Sequence, residues 1–157
     1  MSELYEKLRP HIERQFALDC ALTLYSWDNE TLAPKDAMEN TAKIIGTLSA
    51  QAYGALVNDE VRTLLASLRE PKEFDVLSSV EQSIVKKLNK NFDRLEKIPA
   101  NEYRAYSELT AKAGSIWAKA KTENDFAAFA PSLKEIVSYQ KKFAAYTKKP
   151  EMSLYDA

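Results

Sequence analysis

The residues best placed to do chemistry together are Trp27, Asp28, Glu30 and Thr31, with Pro34 closing the run. They supply an indole N–H, two carboxylates and a hydroxyl between two long amphipathic segments. The chemistry this permits is that of a corner. Asp28 and Thr31 can accept hydrogen bonds from exposed backbone N–H groups at a turn or helix start. Pro34 lacks an N–H and disfavours the helical conformation in Ala33. Trp27 can bury its ring and still offer its N–H to a partner.

Nothing else in the chain has the spacing of an active site. His11 is the only histidine and Cys20 the only cysteine. One histidine cannot supply the paired Glu-x-x-His units of a di-iron bundle, and the His-Glu-x-x-His of a zinc peptidase helix is absent. There is no glycine-rich phosphate loop and no Gly-x-Ser-x-Gly. His11 beside an apolar stripe reads as structural, and Cys20 as a small buried hydrophobe. No residue is therefore assigned a catalytic, cofactor-binding or metal-binding role.

The elements around these residues repeat at helical spacing. Leu4, Leu8, Ile12, Phe16 and Leu22 form a stripe that predicts a first helix from about Ser2 to Tyr25, irregular near Pro10. Asp36 and Glu39 have capping-box spacing for a second helix carrying Ile44, Ile45, Leu48, Ala52 and Leu56. Gly46 and Gly54 would permit close approach where they face a partner. Asn58 caps a short third helix, and Ser79 with Gln82 starts a fourth. Lys86, Lys90 and Arg94 on that helix read as a solvated face, and Asp93 with Lys97 as an ion pair. Pro99 suits the first turn of a fifth helix, which ends near Thr122. Asn124 caps a short turn, Phe126 and Phe129 land on one side, and Pro131 opens a sixth helix.

The composition agrees. With three glycines and 45% hydrophobic residues, the chain is expected to be all-α, an antiparallel bundle of about five to seven helices forming one domain over residues 1–157. A net charge of −1 gives no electrostatic reason to bind nucleic acid or an anionic membrane. No apolar run approaches the ~18 residues that would span a bilayer. The lone cysteine fits a reducing compartment, so a cytoplasmic location is expected.

Two blocks also carry a resemblance. Trp27-Asp28, Glu30-Thr31 and Pro34 look like the Trp-Asp-x-Glu-Thr-x-x-Pro signature of the M32 metallocarboxypeptidases, the Taq carboxypeptidase type. Trp117, followed by Asn124-Asp125-Phe126, Phe129 and Pro131, resembles that family's Trp…Asn-Asp-Phe-x-x-Phe-Ala-Pro segment, and Leu154 to Ala157 looks like its Pro-Tyr-Asp-Ala. Helix order and corner positions agree over essentially all 157 residues. Ala33 and Leu154 depart from the Met and Pro common there. The resemblance implies that a complete member is a zinc- or other divalent-metal-dependent carboxypeptidase, in which the metal activates a water and a glutamate acts as general base. It implies that this chain is the helical N-terminal portion, which helps wall a substrate groove. The family's metal ligands lie beyond these residues, so no catalytic residue transfers to any position here, and the chain alone is expected to be inactive.

Two readings of function follow: part of a carboxypeptidase whose partner is the remainder of the catalytic domain, or a free-standing helical binding or scaffold module. The aromatic excess of Tyr103, Tyr106, Trp117, Tyr139, Phe143 and Tyr146 predicts an uncovered apolar face and self-association, most simply as a homodimer.

Overall fold

The computed structural model describes residues 2–155. Within them the fold is all-α, with seven α-helices: α1 (Glu3–Thr31), α2 (Met38–Leu56), α3 (Asp59–Leu68), α4 (Pro71–Phe74), α5 (Ser79–Leu95), α6 (Ala100–Glu123) and α7 (Phe126–Thr147). A 3₁₀ turn, Lys35–Ala37, precedes α2. The long helices form an antiparallel bundle: α1 packs on α2, α2 on α6 and α6 on α7, while α3 packs on α1 and α5 on α3.

The bundle is held in two different ways. At one end, Tyr5 and Leu8 of α1, Leu56 of α2, Val61, Leu65 and Leu68 of α3 and Val85 and Phe92 of α5 close a single apolar core. Each such side chain, buried, contributes about 1.5–3 kcal/mol. Between α2 and α6 the buried residues are mostly small: Ala42, Gly46, Ser49 and Ala52 on one helix, Ala113 and Ala120 on the other. Small side chains let helix axes come close. Gly46 faces the side chain of Glu108, as expected for a glycine opposite a partner, whereas Gly54 faces open space.

Several local expectations need correction. α1 does not end at Tyr25 but runs to Thr31, because Trp27 to Thr31 contains no breaker and Pro34 restricts only the residue before it. Asp36 does not cap α2. It lies in the 3₁₀ turn, which joins α2 directly, and Glu39 is bonded to Lys112 of α6 at 3.1 Å instead. The capping box of α5 is Ser78 with Glu81, one residue earlier than expected. Gln82 donates to the carbonyls of Phe74 and Leu77 and so closes the preceding loop. Asp93 pairs with Arg69, not Lys97. α1 begins at Glu3 and passes through Pro10. Asn58 caps α3 as expected, its side-chain oxygen accepting from the Val61 N–H at 2.9 Å. Asp156 and Ala157, the end of the last signature block, lie outside the described residues.

The aromatic residues of the last two helices are mostly covered by one another. Tyr106, Tyr139 and Phe143 form a mutual cluster with ring centroids 5.3–5.8 Å apart. Tyr103 stacks against Tyr53, and the Tyr146 hydroxyl donates to Glu102. The exposed ones are Trp117, at 48%, and Phe126 at the start of α7. The outward apolar row sits elsewhere. Contrary to expectation, Phe16 of the stripe and Trp27 are exposed on α1, as is Leu24, and Cys20 is exposed among them, all within about 80° around the helix axis, because α1 buries its other side on α2 and α3.

Candidate functional site

The two signature segments come together from opposite ends of the sequence, and local geometry shapes each of them. At the first, α1 stops in a tight C-terminal turn: the N–H groups of Leu32 and Ala33 both donate to the Asp28 carbonyl at 2.9 Å. Thr31 Oγ1 donates to the Trp27 carbonyl at 2.7 Å. The Thr31 hydroxyl is thus a donor to the preceding turn, where an acceptor was expected. The Asp28 side chain makes no hydrogen bond to any described residue; its backbone carbonyl does the work. Pro34 then turns the chain into the 3₁₀ turn, where the Ala37 N–H donates to the Pro34 carbonyl at 2.9 Å.

At the second segment, α6 and α7 are joined by two residues. Asn124 ends α6 in the left-handed conformation, φ 54° and ψ 36°, which Asn tolerates better than most side chains. The Asp125 N–H reaches back to the Ala120 carbonyl at 2.8 Å, while its carboxylate accepts from the Ala128 N–H at 3.1 Å and caps α7. α7 therefore opens at Phe126. Pro131 lies inside it and does not start it. Phe126 is exposed and Phe129 half-buried.

Between these segments runs a cleft of about 1520 Å³. Glu30, Thr31 and Pro34 form one side, Trp117 and Asp125 the other, with Ile45 and Ser49 of α2 and the α6 residues Gly114 and Ser115 also lining it. Trp27, Asp28, Asn124, Phe126, Phe129 and Pro131 do not line it. Small α6 residues, absent from the sequence reading, make much of its wall. Their signal was present in the spacing of Ser107, Ala111, Gly114, Ser115, Ala118 and Thr122, but that spacing does not say which neighbour they face.

The donor set does not fit a catalytic metal. Among the described residues no three His, Cys, Asp or Glu side chains converge. His11 stands 3.4 Å from Glu60, and Cys20 is exposed on α1. Charge acts locally: Lys112 draws the Glu39 carboxyl below its ordinary range through its hydrogen bond and charge, and burial raises the Asp19 carboxyl and the Tyr103 hydroxyl. No described helix is long and apolar enough to cross a membrane.

Residues 7–157 match the family model described as Carboxypeptidase Taq (M32) metallopeptidase. Carboxypeptidase 1 of Bacillus subtilis is 35% identical over 126 residues, which are 80% of this chain and 25% of that protein. Thermostable carboxypeptidase 1 of Pyrococcus furiosus is 28% identical over 145 residues, 92% of this chain and 28% of that one. Among solved structures, the BsuCP crystal structure superposes with a TM-score of 0.91 at 30% identity, covering 98% of this chain and 30% of its own. The Apo-Mg structure of the Pyrococcus furiosus carboxypeptidase gives 0.73 at 28% identity, covering 99% of this chain and 31% of its own. The chain thus spans between a quarter and a third of the length of these relatives.

Proposed function

Since the chain belongs to the carboxypeptidase Taq (M32) metallopeptidase family, we propose that it forms the helical N-terminal portion of a metal-dependent carboxypeptidase, as one domain. In this reading its residues shape and support the enzyme and hold no metal. The observation that carries it is the meeting of both signature segments at one cleft. The metal and the general base then come from polypeptide outside these residues, and the activity is release of C-terminal amino acids from peptides. The lone, exposed Cys20 favours a reducing compartment, hence the cytoplasm.

The test compares two proteins on a synthetic peptide with zinc present. One is the chain by itself. The other is the chain joined in frame to the part of Bacillus subtilis carboxypeptidase 1 that follows the matched region. The joined protein is expected to release C-terminal residues in a chelator-sensitive way, and the chain by itself to release none. Stoichiometric zinc and chelator-sensitive hydrolysis from the chain by itself would overturn the reading.

A further inference from the structure

We propose that the cleft between the end of α1 and the second half of α6 is the seat of an α-helix. That helix would come from the polypeptide making up the rest of a family member's length, with its backbone crossing α6 at Gly114. The proposal rests on the reading of this chain as part of a larger enzyme, and it names the surface through which that part is engaged.

Four observations converge on it. Gly114 lies in the interior of α6, where glycine weakens a helix relative to alanine. Yet a Cβ there would meet nothing within 4 Å, so no neighbour in this chain needs the glycine. It leaves room for a backbone the chain does not contain. Second, Ser49 lines the cleft with only 6% of its surface exposed, and its hydroxyl has no hydrogen-bond partner among the described residues. Its oxygen keeps an opening to the cleft, because Ser2 Oγ is the one fully buried side-chain oxygen without a partner among the described residues, so an incoming helix can bond the Ser49 hydroxyl in place of water.

The third observation is size. At 1520 Å³ the cleft exceeds the roughly 300–1,000 Å³ of small-molecule pockets. The α6 wall from 107 to 123 is about 24 Å long, so the section is roughly 60 Å², comparable to a helix of ~10 Å diameter sunk most of the way in. The fourth is charge. Glu30, Glu123 and Asp125 line the cleft against Lys119, so the incoming helix would carry lysine or arginine on that flank and small or apolar residues toward Gly114. The relatives supply the source: more than two thirds of the BsuCP chain lies outside the part this chain covers.

The substitution Gly114→Leu separates the chain's own needs from those of docking. In the chain by itself it meets open space and favours helix, so the melting temperature is expected to rise by about 2–4 °C. In the protein joined to the Bacillus subtilis remainder it is expected to lower the melting temperature by several degrees. Hydrogen exchange gives a second readout without any variant: amides of residues 107–123 should exchange at least tenfold more slowly in the joined protein than in the chain by itself. Equal exchange, two independent melting transitions, or a joined protein stabilised by Gly114→Leu would each overturn the proposal. So would a cleft substitution that raises KM for peptides without touching the melting temperature, which would assign the cleft to substrate, or one that only dissociates a dimer of the chain, which would assign it to a second copy. A joined protein that shows the expected melting and exchange but releases no amino acid leaves the docking in place and removes the carboxypeptidase reading.

Discussion

Gly46 and Glu108 compete for the same space: a Cβ on Gly46 would stand 2.8 Å from Cδ of Glu108 and closer still to its Cγ. Cγ is too near the root of the side chain to swing clear without moving the α2–α6 contact. Gly46→Ala gains up to about 1 kcal/mol of helix propensity but meets an overpacking cost of about 1–3 kcal/mol. The variant is expected to lose about 1 kcal/mol in urea titration. In a Glu108→Ala background the same change is expected to stabilise, and a double-mutant cycle reads the coupling directly. Equal effects in both backgrounds would show that the two side chains do not compete.

The two signature aspartates should behave differently. The Asp125 carboxylate caps α7, so Asp125→Ala is expected to cost about 0.5–2 kcal/mol. Asp28 serves through its backbone carbonyl, which alanine retains, so Asp28→Ala is expected to cost under about 0.5 kcal/mol. Chemical denaturation of the two variants side by side checks this; a large loss at Asp28 alone would reverse the assignment.

A third prediction concerns the one left-handed residue among those described. Asn124→Gly removes the Cβ from a φ of 54° and is expected to be neutral or slightly stabilising, whereas Asn124→Ala should cost about 1 kcal/mol. Thermal melts of both variants read the difference, and identical melts would show that the α6–α7 joint relaxes to another conformation.

Acid should loosen α5 first at its start. The Glu81 carboxylate accepts from the Ser78 hydroxyl and from the Ser78 N–H, both at 2.8 Å. These bonds hold its pKa below the ordinary 4.5. A carboxyl depressed in the folded state binds its proton more readily when unfolded. Its contribution is therefore full above about pH 4.5 and is lost as pH falls through the lower folded value. Glu81→Gln is expected to flatten the stability–pH curve below pH 4.5, leaving the slopes due to Glu3 and Glu39, which are depressed by Lys7 and Lys112. An unchanged acid limb would count against the capping box.

Self-association, if it occurs through an apolar face, is expected to use the outer side of α1, since Tyr106, Tyr139 and Phe143 cover one another. Trp27→Lys should then shift sedimentation at micromolar concentration toward monomer. A dimer indifferent to Trp27 would place the contact elsewhere, and a parent chain with no concentration dependence would dismiss it.

What could be read from residues alone follows how local each cause is. Asn58 reveals itself because a cap is a contact across three residues, whereas the cap of α7 was expected at Asn124 with Pro131 opening the helix, and falls to its neighbour Asp125. The number of helices is legible because apolar spacing repeats within each one. The extension of α1 through Trp27, Asp28 and Glu30 was not, since those residue types suit a corner as well as a helix end. Glu39 looked like a cap partner because Lys112, which holds it, is far away in sequence. The cleft is the extreme case: Glu30 and Trp117 face the same cleft only because α1 and α6 both lean on α2.

The seating of α1 has a mechanical consequence. The helix is clamped near its beginning, where Tyr5 and Leu8 sit in the apolar core, and it carries Glu30 and Thr31 at its far tip. From Leu8 to Thr31 is about 35 Å along the axis, so α1 is a cantilever, propped along one side by α2. A tilt of roughly 5° at the root would move the tip by about 3 Å over that length. A change in the volume of the side chain at position 8 is therefore expected to be felt at the far end of the helix, as a change in the gap between Thr31 and Trp117.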